Sequence, residues 1–309
     1  MTNLRRRGQG TETAPATDEV VADGALSAWD RVKLARHTDR PKTMDYLGEL
    51  TTDFVELHGD RVFGDDNALI GGLAKLGDRT VLVIGHQKGK DTRENISRNF
   101  GMAKPEGYRK AERLMRHAEK FGIPVVTFID TSGADPTIGS EERGQGTAIA
   151  ESLLTMAALE TPVVAVVIGE GGSGGALAIG VADRVLMLEN AVYSVVSPEG
   201  CASILWKDAS KAPEAAETMR ITATDLRGFG IIDELIPESP PAHEKPRDAI
   251  LAAGEALRRH LDELTALAAG PDGIRLLLDA RYRKFRQIGA WREGVARDTR
   301  LPETAIDAV

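Results

Sequence analysis

Apolar residues form three continuous, β-branched runs in the middle of the chain, and each run ends in a loop rich in glycine or polar residues. The runs are RTVLVIGHQKG (79–89), PVVTFIDTSGADP (124–136) and PVVAVVIGEGG (162–172). Runs of this kind predict strands that are buried on both faces, as in a parallel sheet, with helices between them. A fourth, short strand is predicted at DRVLMLE (183–189). The pattern therefore predicts an α/β protein.

Helical spacing precedes, separates and follows these strands. Residues 25–56 contain two helical stretches split by Pro41, and the apolar face of the second stretch continues through Phe54 to Leu57. Between the strands, GYRKAERLMRHAEKFG has an apolar face that ends at Phe121, and SEERGQGTAIAESLLTMAAL has Ser140 as its predicted N-cap. After the Pro-rich linker PESPPAHEKP, two amphipathic helices are predicted.

These patterns divide the chain into four parts. Residues 1–24 mix charged residues with Thr, Pro and Gly without periodicity, so we expect a disordered extension there. Residues 25–56 are predicted to form a helical lead-in and residues 57–238 the α/β core. Residues 239–309 are predicted to form a C-terminal helical segment and tail.

The composition is that of an ordinary soluble globular protein, with 309 residues of which 42% are hydrophobic and 28% charged. The net charge of -8 argues against general nucleic-acid binding, which needs a basic surface. No apolar run reaches the roughly 18 residues of a membrane span, and the N-terminus has no signal-peptide core, so we expect no membrane role and a cytoplasmic location. The single cysteine, Cys201, excludes an internal disulfide and a cysteine-rich metal site in this chain.

The stretch VVAVVIGEGGSGGALAIGVADRVLMLE (163–189) leads from the third strand into a loop with five glycines among seven residues. Gly169, Gly171 and Gly174 fit the pattern G-x-G-x-x-G, and Glu189 stands 20 residues past the first of them, as the ribose-binding acid of a dinucleotide site would. That fingerprint normally follows the first strand of its unit, whereas two strand–helix units precede it here. No Lys-Ser/Thr follows the glycines, which excludes a P-loop.

An oxyanion hole is the other explanation, because it also needs backbone N–H groups that a ligand can approach without meeting a Cβ. Gly174, Gly175 and Ala176 at the start of a helix could supply such groups. Residues 130–134 (DTSGA) form a second strand-to-helix turn with a glycine in it. The glycines alone do not decide between a dinucleotide and an oxyanion.

Residues 86–120 carry a local positive charge, with ten Lys or Arg against five Asp or Glu. An anionic ligand or partner could dock there. Lys88, Lys90 and Arg93 are candidates for binding a phosphate because they follow the end of a strand, whereas Arg109 and its neighbours suit the solvated face of a helix. No Ser/His/Asp arrangement stands out, so hydrolysis has little support.

Four long motifs, taken in order, closely resemble the carboxyltransferase α subunits of bacterial acetyl-CoA carboxylases. They are GHQKGKDTRENISRNFGMAKPEGYRKAERLM, FIDTSGADPTIGSEERGQG, IGEGGSGGALAIGVADRVLML and YSVVSPEGCASILWKDASKAPEAAE. The resemblance extends from about Trp29 to about Gly289. It implies a crotonase-like (ClpP-like) fold, a ββα superhelix, in a superfamily whose enzymes stabilise enolates with backbone N–H groups.

The resemblance also implies an activity and partners. In that family the carboxyl group of N1-carboxybiotin, held on a biotin carboxyl carrier protein, is transferred to acetyl-CoA, which gives malonyl-CoA for fatty-acid biosynthesis. The chain would then be part of a biotin-dependent carboxyltransferase that is active only with a β subunit, as α2β2, with biotin carboxylase as a further partner. The β subunit of the family carries a four-cysteine zinc ribbon, so no metal is expected in this chain.

By the same resemblance, the backbone N–H groups of Gly175 and Ala176 would bind the ureido oxygen of biotin as an oxyanion hole. The residues expected to contact the substrate are Gly133, Ala134, Gly171, Gly172, Ser173, Gly174, Lys88, Lys90 and Arg93.

The chain departs from the family pattern D-T-P-G-A-Y-P-G, since it has DTSGADPT at residues 130–137. Asp135 thereby replaces an aromatic residue in a loop that is expected to line the biotin or acyl site. Two alternatives stay open for this reason. One is a carboxyltransferase or decarboxylase subunit that acts on a different acyl-CoA in a specialised pathway, and the other is a non-catalytic scaffold subunit.

Overall fold

Twelve α-helices and eight β-strands are present in residues 26–289, the part of the chain that the computed structural model describes. The helices are α1 (Ala28–Ala35), α2 (Thr43–Leu50), α3 (Thr92–Ser97), α4 (Pro105–Lys120), α5 (Ile138–Glu142), α6 (Gln145–Ala158), α7 (Ser173–Leu177), α8 (Pro198–Trp206), α9 (Ala212–Met219), α10 (Ala223–Gly228), α11 (Pro246–Ala268) and α12 (Gly273–Gln287). The strands are β1 (Thr52–Glu56), β2 (Leu69–Leu76), β3 (Arg79–His86), β4 (Val125–Thr131), β5 (Val163–Gly172), β6 (Arg184–Leu188), β7 (Val192–Ser194) and β8 (Glu234–Ile236). The predicted extension at residues 1–24 and the end of the predicted tail lie outside the described residues.

All eight strands belong to one mixed sheet in the order β1-β2-β3-β4-β5-β6-β8, and β7 pairs with the end of β5. β2 is antiparallel to β1 and to β3, whereas the strands from β3 through β4, β5 and β6 to β8 run parallel. The four predicted strands are confirmed as β3, β4, β5 and β6. Every residue of β4 and β5 is buried, as expected for central parallel strands covered on both faces.

The helical lead-in ends earlier than the sequence predicts, because the chain enters strand β1 almost directly after α2. Helix α2 stops at Leu50, and Thr51 already has an extended backbone (φ -127°, ψ 161°). Val55 then pairs with β2. The β-branched residues around this point favour an extended chain, which outweighs the helical spacing of the apolar residues. Phe54 therefore lies on a strand and not on a helix face.

Two helix boundaries also differ from the prediction. Ser140 is not an N-cap, because it lies inside α5 and donates its hydroxyl to Asp135. Helix α6 begins only at Gln145, since Gly144 before it has a left-handed backbone (φ 82°) that interrupts the helix. Phe121 follows the last residue of α4 and is 59% exposed, so it is not part of the buried face.

The two C-terminal helices are confirmed as α11 and α12, and both are attached to the rest of the fold. α11 packs against α2 and the strands β5, β6 and β8. On α12, the buried Arg281 donates to both carboxylate oxygens of Asp183 at 2.8 Å. It also donates to three backbone carbonyl groups in the last turn of α6 and in the link to β5, those of Met156, Leu159 and Thr161. Within residues 26–289, no helix is both long and apolar enough to cross a membrane.

Candidate active site

The two loops that the sequence singles out meet at one edge of the sheet. Strands β4 and β5 are parallel neighbours, with Val125 opposite Val163 and Thr131 opposite Gly171. The carboxyl ends of adjacent parallel strands lie at the same edge, where ligand sites of such sheets form. The turn after β4 and the glycine turn between β5 and α7 therefore come together.

Glycine is required where these two turns touch. A Cβ on Gly172 would lie 2.1 Å from the carbonyl oxygen of Ser132. A Cβ on Gly175 would lie 2.5 Å from the backbone nitrogen of Ala134. Atoms cannot approach this closely, so any other residue would push the two turns apart. We call this meeting of Gly172 and Gly175 with residues 132–134 the glycine contact.

Gly175 and residues 132–134 of the glycine contact line a cleft of about 520 Å³, together with Gln145, Ile149 and residues 195–197. Within the described residues, the N–H of Ala134 makes no hydrogen bond. The N–H of Gly175 lies in the first turn of α7, where the helix itself offers no acceptor one turn back. Two backbone donors from different turns are therefore available at the cleft.

Ala176, which the sequence pairs with Gly175, is placed differently. It is fully buried and does not line the cleft, whereas Ala134 and Gly175 both do. The structure therefore brings Gly175 against the backbone N–H of Ala134. This pairing depends on a contact between two loops about forty residues apart, which spacing within one loop does not show.

The remaining small residues of the predicted site fall into two groups. Gly133, Ser173 and Gly174 line the same cleft. Gly171 and Gly172 are buried in the end of β5 and do not line it. Their contribution is to packing, because a Cβ on either residue would clash with a neighbour.

Lys88 lies in a group of paired charges. Its ammonium is 2.7 Å from Asp130 and 2.9 Å from Glu170. Arg36 approaches the other oxygen of Glu170 at 2.6 Å and pairs with Glu199 at 2.5 Å. Burial by itself would lower the pKa of Lys88 and raise that of Glu170, but the ion pairs outweigh burial and shift both pKa values the opposite way. We call these five residues the Lys88 cluster, in which the ammonium of Lys88 is already occupied.

The Lys88 cluster joins the strands from which the two turns begin. Asp130 belongs to β4 and Glu170 to β5, and Lys88 bridges them two residues after the end of β3. Four of the five residues line a second, smaller cleft of about 280 Å³, which shares Ser132 with the first. The Lys88 cluster therefore acts as a brace: it holds the ends of β4 and β5 together beside the glycine contact.

Lys90 and Arg93 lie at neither of these two clefts. Lys90 pairs with Asp45 of α2 at 2.6 Å and its side chain is 63% exposed. Arg93 is exposed on α3 and makes no hydrogen bond or ion pair within the described residues. Among residues 26–289, no group of three or more His, Cys, Asp or Glu side chains is arranged to hold a metal ion.

Asp135, which stands where the family pattern has an aromatic residue, is turned into its own loop. It is 1% exposed, and its carboxylate accepts hydrogen bonds from Thr137, Ser140 and Asn99. Burial alone would raise the pKa of Asp135, but these hydrogen bonds outweigh burial and lower it. The carboxylate is charged and fully occupied, so the replacement places no free acid in the cleft. The absence of the family's proline, aromatic residue and glycine from this loop remains, so the alternative of a different acyl-CoA stays a prediction.

The sequence interpretation missed two features of the site. Residues 195–197 line the cleft, although nothing in their residue types marks them as cleft residues. Tyr108 is expected as a core residue of α4, and it is fully buried. Its hydroxyl oxygen, however, lies 2.9 Å from the position that a Cβ on Gly175 would take. A phenol on an otherwise apolar helix face was the only signal for this contact.

A family model and named relatives match most of the chain. The family described as acetyl co-enzyme A carboxylase carboxyltransferase-like matches residues 11–289. The acetyl-coenzyme A carboxylase carboxyl transferase subunit alpha of Geobacter metallireducens is 56% identical, over 87% of this chain and 83% of that protein. The protein of the same name from Anoxybacillus flavithermus is 58% identical, over 85% of this chain and 80% of that protein.

Two solved structures share the fold at lower identity. The transcarboxylase 12S structure, a hexamer with methylmalonyl-coenzyme A and methylmalonic acid bound, matches with a TM-score of 0.57 and 20% identity over 74% of this chain and 44% of that chain. A Pseudomonas malonate decarboxylase hetero-tetramer in complex with coenzyme A matches with a TM-score of 0.56 and 16% identity over 73% of this chain and 92% of that chain. These likenesses confirm the predicted crotonase-like α/β fold. The family match and the identity to the relatives over most of both chains show that the chain belongs to the acetyl-CoA carboxylase carboxyltransferase α-subunit family.

Proposed function

We propose that this chain is the α subunit of a biotin-dependent acetyl-CoA carboxyltransferase, and that its cleft binds carboxybiotin in the reaction that forms malonyl-CoA for fatty-acid biosynthesis. The reaction follows from the family and from relatives that carry this name at 56–58% identity. The observation that carries the position of the site is the close approach of Gly175 to the backbone nitrogen of Ala134 in the wall of the cleft.

The site would act by hydrogen bonding to an oxygen that gains negative charge. Carboxybiotin supplies the carboxyl group, and its ureido oxygen becomes negative when that group leaves. The N–H groups of Gly175 and Ala134 belong to turns that the glycine contact and the Lys88 cluster hold in place, so they are positioned before the substrate arrives. Preorganised donors of this kind stabilise the developing charge, and each contributes roughly 3 kcal/mol to lowering the barrier.

The cleft suits this group in size and in chemistry. Its volume of about 520 Å³ lies within the range of roughly 300–1,000 Å³ that is typical of small-molecule sites. At the glycine contact it presents backbone N–H donors, which are the partners that a ureido oxygen needs. Of the two carboxylates that line it, Asp135 is held by three donors of its own surroundings, and Glu141 is exposed.

As an α subunit, the chain works with a β subunit in a multi-subunit complex, and we propose that the β subunit closes this cleft. Val195 at the cleft and Ile204 and Leu205 on α8 are 80%, 65% and 60% exposed, and apolar surface of this kind is what a protein partner covers. In this proposal the β subunit carries the zinc ribbon and most of the CoA contacts, and the assembly is α2β2. Carboxybiotin arrives on the biotin carboxyl carrier protein after carboxylation by biotin carboxylase, in the cytoplasm.

The test is the reverse reaction, malonyl-CoA plus biocytin to acetyl-CoA, measured for this chain alone and for the chain co-purified with its β subunit. We expect activity only in the complex, because the site is shared. In the complex, Gly175→Ala should lower kcat about a hundredfold or more, since the added Cβ displaces the nitrogen of Ala134.

Gly228→Ala is the matched control, because a Cβ at this position of α10 meets no atom within 4 Å. It should assemble and react like the unchanged protein. Full activity of an assembled Gly175→Ala complex would place the site elsewhere. Absence of activity in a well-formed complex of the unchanged chains would favour another acyl-CoA or a scaffold role.

A further inference from the structure

Two adjacent apolar side chains, Val62 and Phe63, project into water from the turn formed by residues 59–64 (GDRVFG). Val62 is 76% exposed and Phe63 is 69% exposed. Single apolar side chains scattered over a surface need no explanation, whereas neighbouring ones indicate a surface that another molecule covers. We call residues 59–64 the apolar turn.

The conformation of the apolar turn is fixed by the residues around it. The buried carboxylate of Asp60 accepts hydrogen bonds from the backbone N–H groups of residues 62–64 at 2.8–2.9 Å and from Arg109 of α4 at 2.8 Å. Arg61 has a left-handed backbone (φ 67°), which is unfavourable for a residue with a side chain unless its surroundings enforce it. The backbone that presents the two apolar side chains is therefore already ordered, so a partner would order little of it on binding.

Two guanidinium groups flank the apolar turn. Arg61 and Arg113 of α4 both donate to the carbonyl groups of residues 58–59, at 2.9–3.3 Å. Within residues 26–289 neither of them forms an ion pair, whereas Arg109, one turn earlier on α4, pairs with two carboxylates. Burial, and next the charge of Arg61, lower the pKa of Arg113. The two cations therefore repel each other, and a carboxylate of another molecule would offset that repulsion.

The apolar turn adjoins the wall of the cleft through Arg143. The guanidinium of Arg143 lies 4.7 Å from the centre of the Phe63 ring. Glu141 and Gln145, two residues before and after Arg143, both line the cleft. This part of the wall belongs to α5 and α6, whereas the apolar surface that we assign to the β subunit belongs to residues 195–206. A second macromolecule can therefore approach the cleft beside the apolar turn.

We propose that the apolar turn is the docking surface for the protein that carries biotin, which would meet it with acidic side chains around an apolar depression. This inference rests on the proposed function, because carboxybiotin must enter the cleft while it is attached to its carrier. The folded part of the carrier stays outside the cleft and contacts its rim. Aromatic and arginine side chains are enriched in interfaces of this kind, and the positive charge speeds the arrival of an acidic partner.

The experiment compares biotinylated carrier protein with free biocytin, in the reaction that converts malonyl-CoA to acetyl-CoA, using the complex with the β subunit. Biocytin enters the cleft without docking, so it reports on the site alone. We expect the double variant Val62→Ser/Phe63→Ser to raise KM for the carrier about tenfold or more. Its kcat, its KM for biocytin and its Tm should stay close to those of the unchanged complex, because both side chains are exposed.

Arg61→Glu tests the charge, and Phe121→Ser is the matched control. Arg61→Glu should also raise KM for the carrier, and it should weaken the increase of this KM with salt that we expect of the unchanged complex. Phe121 is 59% exposed and lies about 18 Å farther along α4 than Arg109. Phe121→Ser should leave the constants for both substrates unchanged.

Gly175→Ala separates failure of this inference from failure of the proposed site. If Gly175→Ala removes activity with biocytin while Val62→Ser/Phe63→Ser keeps the KM for the carrier, the site stands and the docking surface is wrong. Equal losses with biocytin and with the carrier in the double variant would also overturn the proposal, since the apolar turn would then serve the site or the β subunit. If Gly175→Ala keeps full activity with biocytin, the cleft is not the carboxybiotin site and the inference falls with it.

Discussion

The glycine contact and the Lys88 cluster are neighbours at one edge of the sheet, yet they are built in opposite ways. The glycine contact leaves the N–H of Ala134 without an acceptor in the described residues. In the Lys88 cluster, by contrast, the four ion pairs have distances of 2.5–2.9 Å. Unpaired donors are free to bind a ligand, whereas buried paired charges are costly to disturb. The difference indicates that the first region binds and the second holds it in place.

Separating the two turns should have the largest effect on activity. In Gly172→Val, the first added carbon would lie 2.1 Å from the carbonyl oxygen of Ser132, so the turns cannot meet. We expect kcat of the complex to fall by more than about a hundredfold, because the donors lose their common geometry. Overpacking should also lower the free energy of unfolding by about 1–3 kcal/mol. Steady-state kinetics and urea unfolding measure the two effects.

Gly228→Val is the control for this change, since its position on α10 is exposed and a Cβ there has free space. It should keep both kcat and stability. An assembled Gly172→Val complex with normal kcat would show that the approach of the two turns is not needed for the chemistry. The conclusion that the glycine contact binds the substrate would then be wrong.

Lys88→Met should act mainly on stability, because it removes the cation between two buried carboxylates. Asp130 and Glu170 would then face each other without the ammonium that now lies 2.7 Å and 2.9 Å from them. Breaking a buried ion pair in this way typically lowers the free energy of unfolding by about 3 kcal/mol. We expect kcat to fall as well, with less change in KM, because the strand ends that carry the turns are no longer braced. Urea unfolding of the complex measures the first effect.

Lys90→Met is the matched control, two residues along the chain. Its ion pair with Asp45 is largely exposed, with the Lys90 side chain 63% accessible, so its loss should cost less than about 1 kcal/mol. Equal losses of unfolding free energy in Lys88→Met and Lys90→Met would show that Lys88 does not hold the strand ends together. Lys88 would then again be a candidate for binding the substrate directly.

The parts of the site that the sequence predicts are those with a local signal. Five glycines in seven residues mark the turn after β5, and apolar runs mark β3 to β6, because both patterns lie within one segment. Strand β2, LIGGLAKL, lacks a β-branched run and contains two glycines, so its sequence resembles a loop. It becomes a strand through eight paired residues with β3.

The partners within the site could not be predicted, because they are distant in sequence. Gly175 meets Ala134 from another loop, and Lys88 meets carboxylates 42 and 82 residues away. The sequence shows Lys88 only as a cation after a strand, which suits a free anion-binding residue equally well. Charge and spacing identify a residue that can form an ion pair, but only the packed fold determines whether its partner is a substrate or another side chain.

A substitution of His86, the last residue of β3, should have the smallest effect of those considered. It tests the contrast between the glycine contact and the Lys88 cluster through the pH dependence of the unfolding free energy. It is fully buried, and neither ring nitrogen has a hydrogen-bond partner within residues 26–289. Burial, and next the nearby ammonium of Lys88, lower the pKa of His86 from 6.5 to about 3. The unfolded chain therefore binds a proton here below about pH 6.5 that the folded chain does not bind until about pH 3. The stability that the neutral ring contributes is lost as the pH falls through that window.

His86→Gln should accordingly make the folded protein less sensitive to acid. Between pH 6.5 and 4.5 the unchanged protein should lose about 2 kcal/mol more unfolding free energy than the variant, since one extra proton taken up on unfolding gives a slope approaching about 1.4 kcal/mol per pH unit. Urea unfolding at the two pH values measures the difference, and His117→Gln, at an exposed position of α4, is the control. If His86→Gln lost stability as steeply as the unchanged protein, the ring would have to gain its proton in the folded state, with the backbone groups of Gly175 and Phe128 beside it as partners. A positive charge on His86 would then lie near the ammonium of Lys88. The Lys88 cluster would no longer be a region in which every charge has an opposite charge beside it.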